Sequence, residues 1–575
     1  MSVSSLNPGL IELIYDAASI RRWNDQVNPM DFTELDKQSH KMVIAYILAR
    51  FEETREAGSI DWLRLIEGGM FEMLHRIVLT DIKPPVFHKM MANLGDKLND
   101  WVCRNLEEKL SQVRGGFAER FHKYFMDPSY SVREKRVLKA AHFLATQWEF
   151  NILYKMCPFI NGVEQIRKDI EDQIEDHYDL LGVQKISLKR KTADFVELCG
   201  QLRFQKRWSQ SPRIPVTSVL GHMLVVAMLT YLALQDTDAC DARKTNGFWA
   251  GLFHDLPEVL TRDITTPVKK SVEELDELIK DYEKEQMEEK LFPLLPADWH
   301  QDLKYYTEDE FSNRARSNGK IVSGLTFEEL DKNYNLPEHE AIDGEIIRGC
   351  DHLAAFIEAS LSIRHGVTSR HLQEGIDRLY PDYRVKWIGP VNFGQAFEAI
   401  VPDLDGAPKA DTFVIRPDRW GRLMLPALYG MMEGPHGQRI RYESRDGILH
   451  VGNWYRAPDC VYWKFEAETA GTYELTIDHS VESGEGGSVL GVIVNGRKAQ
   501  KMAPNGKPFA SSGGTIVTEA SIEFKSRSTN GKFQKRKLGM VQLDKGINEI
   551  RFQLGKVGKT KGIDLRGAML RLQKA

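Results

Sequence analysis

The stretch 251-GLFHDLPEVLTRDITTPVKK-270 ends an apolar run with an adjacent His254–Asp255 pair and adds Glu258 and Asp263 within the next eight residues. Three carboxylates and an imidazole crowded onto a half-buried helix are costly unless a cation or substrate balances them, so the crowding marks a site. Upstream, 219-VLGHMLVVAMLTYLAL-234 is apolar nearly all round, with His222 as its only ionisable group before Tyr231. A buried imidazole needs partners for its two ring nitrogens. Downstream, 345-EIIRGCDHLAAFIEASL-361 sets Asp351 at the start of another apolar helix, where a lone carboxylate is equally unwelcome. His222, His254, Asp255 and Asp351 thus offer two imidazoles and two carboxylates on three helices, a mixed N/O donor set suited to Mn, Fe, Co, Ni or Zn. The competing reading is two core histidines with satisfied nitrogens and two helix-capping aspartates, and spacing alone leaves both open.

The rest of the chain bounds what such a site can belong to. At 575 residues the protein exceeds one core and divides into several domains. Hydrophobic residues at 42%, charged residues at 28% and a net charge of -5 describe a globular chain with no global reason to bind nucleic acid or membrane. Six scattered cysteines without a CxxC pair argue against a zinc ribbon or a disulfide framework, and a reduced, cytoplasmic setting is expected. The N-terminus has no basic start followed by a continuous apolar stretch, so no signal peptide is expected. The apolar run 219–234 is shorter than the roughly 20 residues of a bilayer span and reads as a buried core helix.

Helical periodicity runs from the N-terminus to about residue 395. Within it, 271-SVEELDELIKDYEKEQMEEK-290 is a charged amphipathic helix inserted between parts of the site, with its charges read as a solvated face. After the linker 401-VPDLDGAPKAD-411 the pattern changes. In 471-GTYELTID-478 apolar and polar residues alternate, 487-GSVLGVIVNG-496 ends in the hairpin dipeptide Asn495-Gly496, and 544-DKGINEIRFQL-554 is a turn followed by a strand. The expected fold is therefore multidomain α + β: helical domains followed by a β-sandwich.

The order His, His-Asp, distant Asp resembles the HD-domain metal phosphohydrolases, and 254-HDLPEVLTRDITTPVK-269 is similar to the HD..EVLTGD..TPVK stretch of the YfbR-like 5′-deoxynucleotidases. Arg207-Trp208, which begins fifteen residues before His222, matches that family's Arg-Trp pair, and the likeness covers roughly residues 195–365. The resemblance implies that His222, His254, Asp255 and Asp351 hold one divalent ion, Mn, Co, Mg, Fe, Ni or Zn, and that Glu258 and Asp263 assist catalysis. It further implies that Arg207 meets phosphate and that Trp208 packs against C2′ of a deoxyribose. Two departures stand out: Gly221 replaces a Glu before the first His, and Arg262 replaces a Gly beside Asp263. The second adds a cation which, with Lys269, is expected to neutralise substrate charge.

The N-terminal part repeats this grammar. Arg22-Trp23 recurs, and a constant offset of 182 pairs His40 with His222, Asp81 with Asp263, and 71-FEMLHRIVLTDIKPPV-86 with 253-FHDLPEVLTRDITTPV-268. Glu72-Met73 then stands where His254-Asp255 should be, and Arg76 replaces Glu258, so no HD-type metal shell remains. The expected division is a degenerate HD domain over 1–165, a catalytic HD domain over 166–400 and a β-sandwich over 401–575. The degenerate copy either packs against the active one or keeps Arg22, Trp23, His40 and Asp81 as a regulatory nucleotide site.

The C-terminal strands are similar to galactose-binding-like β-sandwiches, which suggests a fold more than a ligand; oligomer contact or effector binding is the expected role. The basic run 524-FKSRSTNGKFQKRK-537 reads as a solvated loop or, as the sharper reading, a polyanion-binding patch. The function expected is a metal-dependent phosphohydrolase of 2′-deoxynucleotides, dNMP or dNTP, regulated by a nucleotide effector and assembled as a homo-oligomer. Two other outcomes are a triphosphohydrolase depleting the dNTP pool in antiphage defence and, in a different class, a nucleotide-sensing or nucleic-acid-binding scaffold.

Overall fold

The computed structural model describes residues 4–400 except 29, 81, 263–271 and 273–274, and the strands with adjoining residues between 422 and 572. Asp81, Asp263 and Lys269 lie outside the described residues, as does 525–531 of the basic run. Residues 1–400 and 401–575 form two compact units. The helical segments expected on either side of residue 165 belong to the same unit.

Six helices of that unit position the site. They are α1 (Glu34–Arg55), α2 (Trp62–Leu79), α3 (Val132–Met156), α4 (Val219–Leu234), α5 (Asp241–Phe253) and α6 (Gly344–Arg364). Every residue of α4 is buried, which is what a helix apolar on all sides requires. Each buried Leu, Val or Met contributes roughly 1.5–3 kcal/mol, so α4 anchors the unit, and α1, α5 and α6 pack around it. Among the described residues, no helix is long and apolar enough to cross a membrane.

Caps set the register of the central pair. Thr33 caps α1 by accepting from the Asp36 backbone N–H, and Ser218 caps α4 by accepting from that of Gly221. The two helix starts touch: Ser218 Oγ donates to Asp36 Oδ1 at 2.5 Å, and Ser39 Oγ donates to the Leu220 carbonyl at 2.6 Å. A Cβ on Gly221 would stand 2.8 Å from Asp36 Oδ1 and 3.0 Å from Leu35 Cδ2. The absent Glu side chain at position 221 is therefore the room that α1 occupies.

Two further contacts aim α5 and α6. A Cβ on Gly251 would lie 3.0 Å from Ala227 Cα, so α5 rides directly on the α4 backbone at the turn before His254. Arg243, fully buried near the start of α5, forks onto Asp343 at the cap of α6 with two 2.6 Å bonds. That clamp fixes the start of α6 two turns ahead of Asp351.

The C-terminal unit is two antiparallel sheets of six strands each. One runs Gln534–Leu543, Gly471–Ser480, Asp564–Leu572, Ile448–Gly452, Arg441–Arg445, with Arg422–Pro426 also paired to Asp564–Leu572. The other runs Arg497–Lys498, Ser488–Val494, Gly546–Lys556, Cys460–Ala467, Met431–Glu433, with Ser521–Phe524 also on Ser488–Val494. The alternation expected in 471–478 is present: Tyr473, Leu475 and Ile477 enter the common core with Leu490, Val492, Ile550 and Phe552. Asn495 takes φ +48 at the hairpin joining Ser488–Val494 to Arg497–Lys498, the conformation this turn demands. Residues 534–537 of the basic run lie on the edge strand Gln534–Leu543, where Lys535 and Lys537 are exposed and Lys537 pairs with Glu474. Lysines on an exposed edge also discourage strand pairing with other chains.

Candidate metal centre

The helices α4, α5 and α6 bring the four expected ligands together. His222 Nε2 lies 3.0 Å from Asp351 Oδ1 and 3.8 Å from Asp255 Oδ2, and His254 Nε2 lies 3.2 Å from Asp255 Oδ2. The imidazole centroids are 5.5 Å apart. One ligand atom from each of His222, His254 and Asp255 lies within 4.8 Å of the others. Both histidines are buried, while the two aspartates keep about a fifth of their side chains exposed, at 19% each, so the cluster opens on their side.

The imidazoles are oriented for a cation. His254 Nδ1–H donates to the Gly251 carbonyl at 2.8 Å, which directs Nε2 at the cluster. That Nε2 is buried without a hydrogen-bond partner. The alternative of core histidines with both nitrogens satisfied does not describe His254. Burial lowers the His254 pKa, but the Asp255 carboxylate outweighs it and pushes the group up to about 9. Burial raises the carboxyl of Asp255, and the imidazoles of His254 and His222 together with Arg207 hold it well below the usual range. Asp351 behaves alike, with His222 as its main stabilising partner. Two buried anions that stay ionised beside two imidazoles whose affinity for a proton they raise make a cluster that favours positive charge, and a divalent metal ion in place of those protons fits it.

Glu358, two turns beyond Asp351 on α6, was not singled out from the sequence, yet it organises the surroundings. It accepts from Trp208 Nε1 at 2.9 Å and Thr217 Oγ1 at 2.6 Å, lies 3.8 Å from Arg207 Nε and faces His222 Nδ1 at 3.7 Å. Burial raises its carboxyl, and Arg213, His222 and Arg207 more than reverse that. Arg207 also reaches Asp255 at 3.7 Å, so the expected phosphate-facing cation borders the cluster. Trp208 is half-buried with φ +56, its indole tip against Gly375, where a Cβ would stand 2.6 Å away.

Glu258 is buried and lines a crevice with His254 and Asp255. The charged helix Leu275–Gln286 forms the facing wall: Lys280, Glu283 and Lys284 line the crevice, and Glu283 accepts from Thr261 Oγ1 at 2.9 Å. These charges thus face the site and not only bulk solvent. Arg262 is exposed, and its backbone sits at φ +72 and ψ 161, a region that favours glycine. Its side chain does not join the described cluster.

A second Arg-Trp-Glu constellation stands in the N-terminal half. Arg22 Nε and Trp23 Nε1 both donate to Glu149 Oε2 on α3 at 2.9 Å, as Arg207 and Trp208 address Glu358 on α6. Trp23 shares the rare backbone of Trp208, with φ +57. Arg21 pairs with the cap Thr33, and Lys206 bridges to the cap Ser218. Thr80, at φ +60, matches Arg262 at the ends of α2 and of the short helix Glu258–Thr261. This cap register corrects the pairing of His40 with His222. Four residues beyond each cap stand Lys37 and His222, and Lys37 Nζ contacts His142 Nδ1 as His222 contacts Asp351. His142 and Asp351 each precede their glutamate by seven residues. His40 instead turns away, bonding the Val196 carbonyl at 2.9 Å with its ring edge-on to Trp148. Arg22 and Lys37 keep the fifteen-residue spacing of Arg207 and His222, the sequence signal that identifies the right pair.

Residues 199–380 match the family model for the HD domain, and Arg207, Trp208, His222, His254, Asp255, Glu258, Asp351 and Glu358 all fall inside it. No curated protein matches the chain. Among solved structures, the chain is similar to a family 35 carbohydrate binding module from Clostridium thermocellum, at 15% identity and TM-score 0.20 over 26% of this chain and 98% of that one. It is also similar to a GH26-CBM35 β-(1,4)-mannanase from Podospora anserina, at 15% identity and TM-score 0.19 over 27% and 29% of the two chains. A third is CBM35 from Paenibacillus barcinonensis, at 16% identity and TM-score 0.17 over 27% and 94%. The protein thus carries an HD domain, the mark of metal-dependent phosphohydrolases, and a β-sandwich.

Proposed function

We propose that the protein is a divalent-metal phosphohydrolase acting on 2′-deoxynucleotides, with His222, His254, Asp255 and Asp351 as the metal ligands. The observation that carries this reading is the convergence of those four groups beside Arg207 and Trp208, with one buried carboxylate, Glu358, reaching His222, Arg207 and Trp208 together. A bound divalent ion supplies Lewis acidity, activating water at neutral pH and neutralising phosphoryl charge.

The chain's own residues do the rest. Arg207 meets a phosphate oxygen at the mouth of the cluster and offsets charge that grows in the transition state. Glu258, lining the crevice beside Asp255, moves the proton between water and leaving group. On the family's pattern Asp263 assists catalysis and Lys269 neutralises substrate charge. Trp208, held through its N–H by Glu358, presents an apolar face to the sugar and disfavours a 2′-hydroxyl. Such a wall discriminates by about 10²-fold, because rejecting an added hydroxyl is weaker than binding one. We read the N-terminal half as a degenerate copy of the same site, retaining the Arg-Trp-Glu brace and losing the metal ligands.

A phosphate-release screen tests the assignment, with dNMP, dNTP and matched ribonucleotides as substrates and Mn, Co, Mg, Fe, Ni and Zn as ions. Metal-dependent release from deoxynucleotides, abolished by Asp255→Ala together with metal binding, is expected. Equal kcat/KM on ribo- and deoxyribonucleotides would remove the deoxynucleotide assignment, and wild-type release by Asp255→Ala would remove the metal site.

A further inference from the structure

Summed over the matching positions, the two copies of the site differ in the sign of their charge. Around the metal cluster Arg207, with Arg213 acting on Glu358 as well, meets four carboxylates: Asp255, Asp351, Glu358 and Glu258. At the matching positions of the N-terminal copy three cations, Arg22, Lys37 and Arg76, stand with two carboxylates, Glu149 and Glu72, and a third carboxylate, the buried Glu34, accepts from Arg22 at 3.0 Å and lies 3.9 Å from Arg76. Met73 and His142 stand in place of Asp255 and Asp351. Glu72 is itself taken up by the Lys41 ammonium at 2.9 Å and the Tyr124 hydroxyl at 2.7 Å.

Lys37 is the decisive residue. Its side chain is wholly buried, and among the described residues its polar contact is the imidazole of His142, not a carboxylate. Burial, with Arg22 beside it, holds the Lys37 ammonium well below the usual lysine range, and Glu34 and Glu149 offset this only in part, so the cluster favours a further negatively charged partner. A charged Lys37 can only donate, so beside it His142 Nδ1 accepts and the imidazole carries its proton on Nε2, a second donor. His142 is half-buried, and the rim is open at Arg76, 20% exposed, and Glu72, 29% exposed. Trp23 lies beside these groups, tilted on Phe150 at 5.7 Å and held by Glu149.

We propose that the N-terminal copy is a metal-independent site for the phosphate groups of a nucleotide, held by Lys37, His142, Arg22 and Arg76. The metal copy recruits a cation to bind a phosphate; the N-terminal copy carries its own cation in the position of His222. This site is joined to the metal copy through the neighbour of Lys37, since Asp36 accepts from Ser218, the cap of the helix that bears His222. The proposal rests on reading residues 1–165 as a degenerate copy, and its test does not depend on hydrolysis.

Calorimetry on the full chain in EDTA, with inorganic phosphate, pyrophosphate and each of the four dNTPs, tests it. One site per chain is expected, tighter for dNTP than for inorganic phosphate, persisting in Asp255→Ala and weakened at least tenfold by Lys37→Met. Arg76→Glu, on the rim, is the second variant and weakens binding without touching the core; protection against thermal unfolding by dNTP in EDTA follows the same order. Absence of binding by every probe overturns the proposal, as does binding that neither variant weakens. Intact binding with no metal-dependent phosphate release from any substrate would instead remove only the phosphohydrolase reading.

Discussion

Glu358 ties Trp208, Thr217, Arg207 and His222 to one carboxylate, so its charge matters more than its volume. Glu358→Gln keeps the shape and removes the charge; a metal titration against a chelator should show a 10- to 100-fold loss of affinity, the range for partners that orient a ligating histidine. The four ligands were legible because each is an ionisable group within or at the end of an apolar run. Glu358 has the same signature on α6 but went unread: its partners Arg207, Trp208 and Thr217 lie at least 140 residues away, with 141 positions separating it even from Thr217. His40 makes a different prediction. Burial pushes its pKa down to about 3, far below the usual 6.5. The unfolded chain then takes the proton first, so the stability His40 contributes is complete above about pH 6.5 and is lost as pH falls toward 3, at up to about 1.4 kcal/mol per pH unit. Denaturant melts at pH 7, 6, 5 and 4 should show the wild type losing this increment while His40→Gln does not.

Helix contacts place the ligands, and the two glycines at those contacts differ in what they meet. At Gly221 an added Cβ meets the side-chain ends of Asp36 and Leu35, which can turn aside; at Gly251 it meets the Ala227 backbone, which cannot. Gly251→Ala should therefore cost more, roughly 1–3 kcal/mol of overpacking, and should lower metal affinity because the strain falls one turn before His254. Equal denaturation midpoints for Gly221→Ala and Gly251→Ala would contradict this. At this scale the sequence spoke unevenly. The single offset of 182 pairs α2 with the 253–262 region correctly, and the matching positive φ of Thr80 and Arg262 bears that out. It misplaces α1 by three residues, because the stretch from Thr33 to Glu72 is three residues longer than that from Ser218 to His254. Matching histidine to histidine concealed the shift; spacing from the Arg-Trp pair reveals it.

The composition change near residue 400 coincides with the boundary between the two units, and it was legible because a period-2 pattern cannot continue a helical core. Nothing in residue type marks the division near 165 as a shared core, since α1 reads as an ordinary amphipathic helix although 17 of its residues are buried. A chain of residues 1–400 should fold and keep the metal affinity of the full protein, whereas residues 166–400 alone should be insoluble or molten, judged by near-UV circular dichroism and dye binding. A soluble, metal-binding 166–400 fragment would refute the shared core. The contact of Asp36 with Ser218 carries a consequence for synthesis. These residues are 182 apart in sequence. At about 5–20 residues per second, a ribosome needs on the order of 10–40 s after α1 emerges to deliver its partner. For that interval the face of α1 that packs on α4 stays uncovered even after α3 has arrived, which makes the first half of this protein a natural client of the chaperones that wait at the tunnel exit.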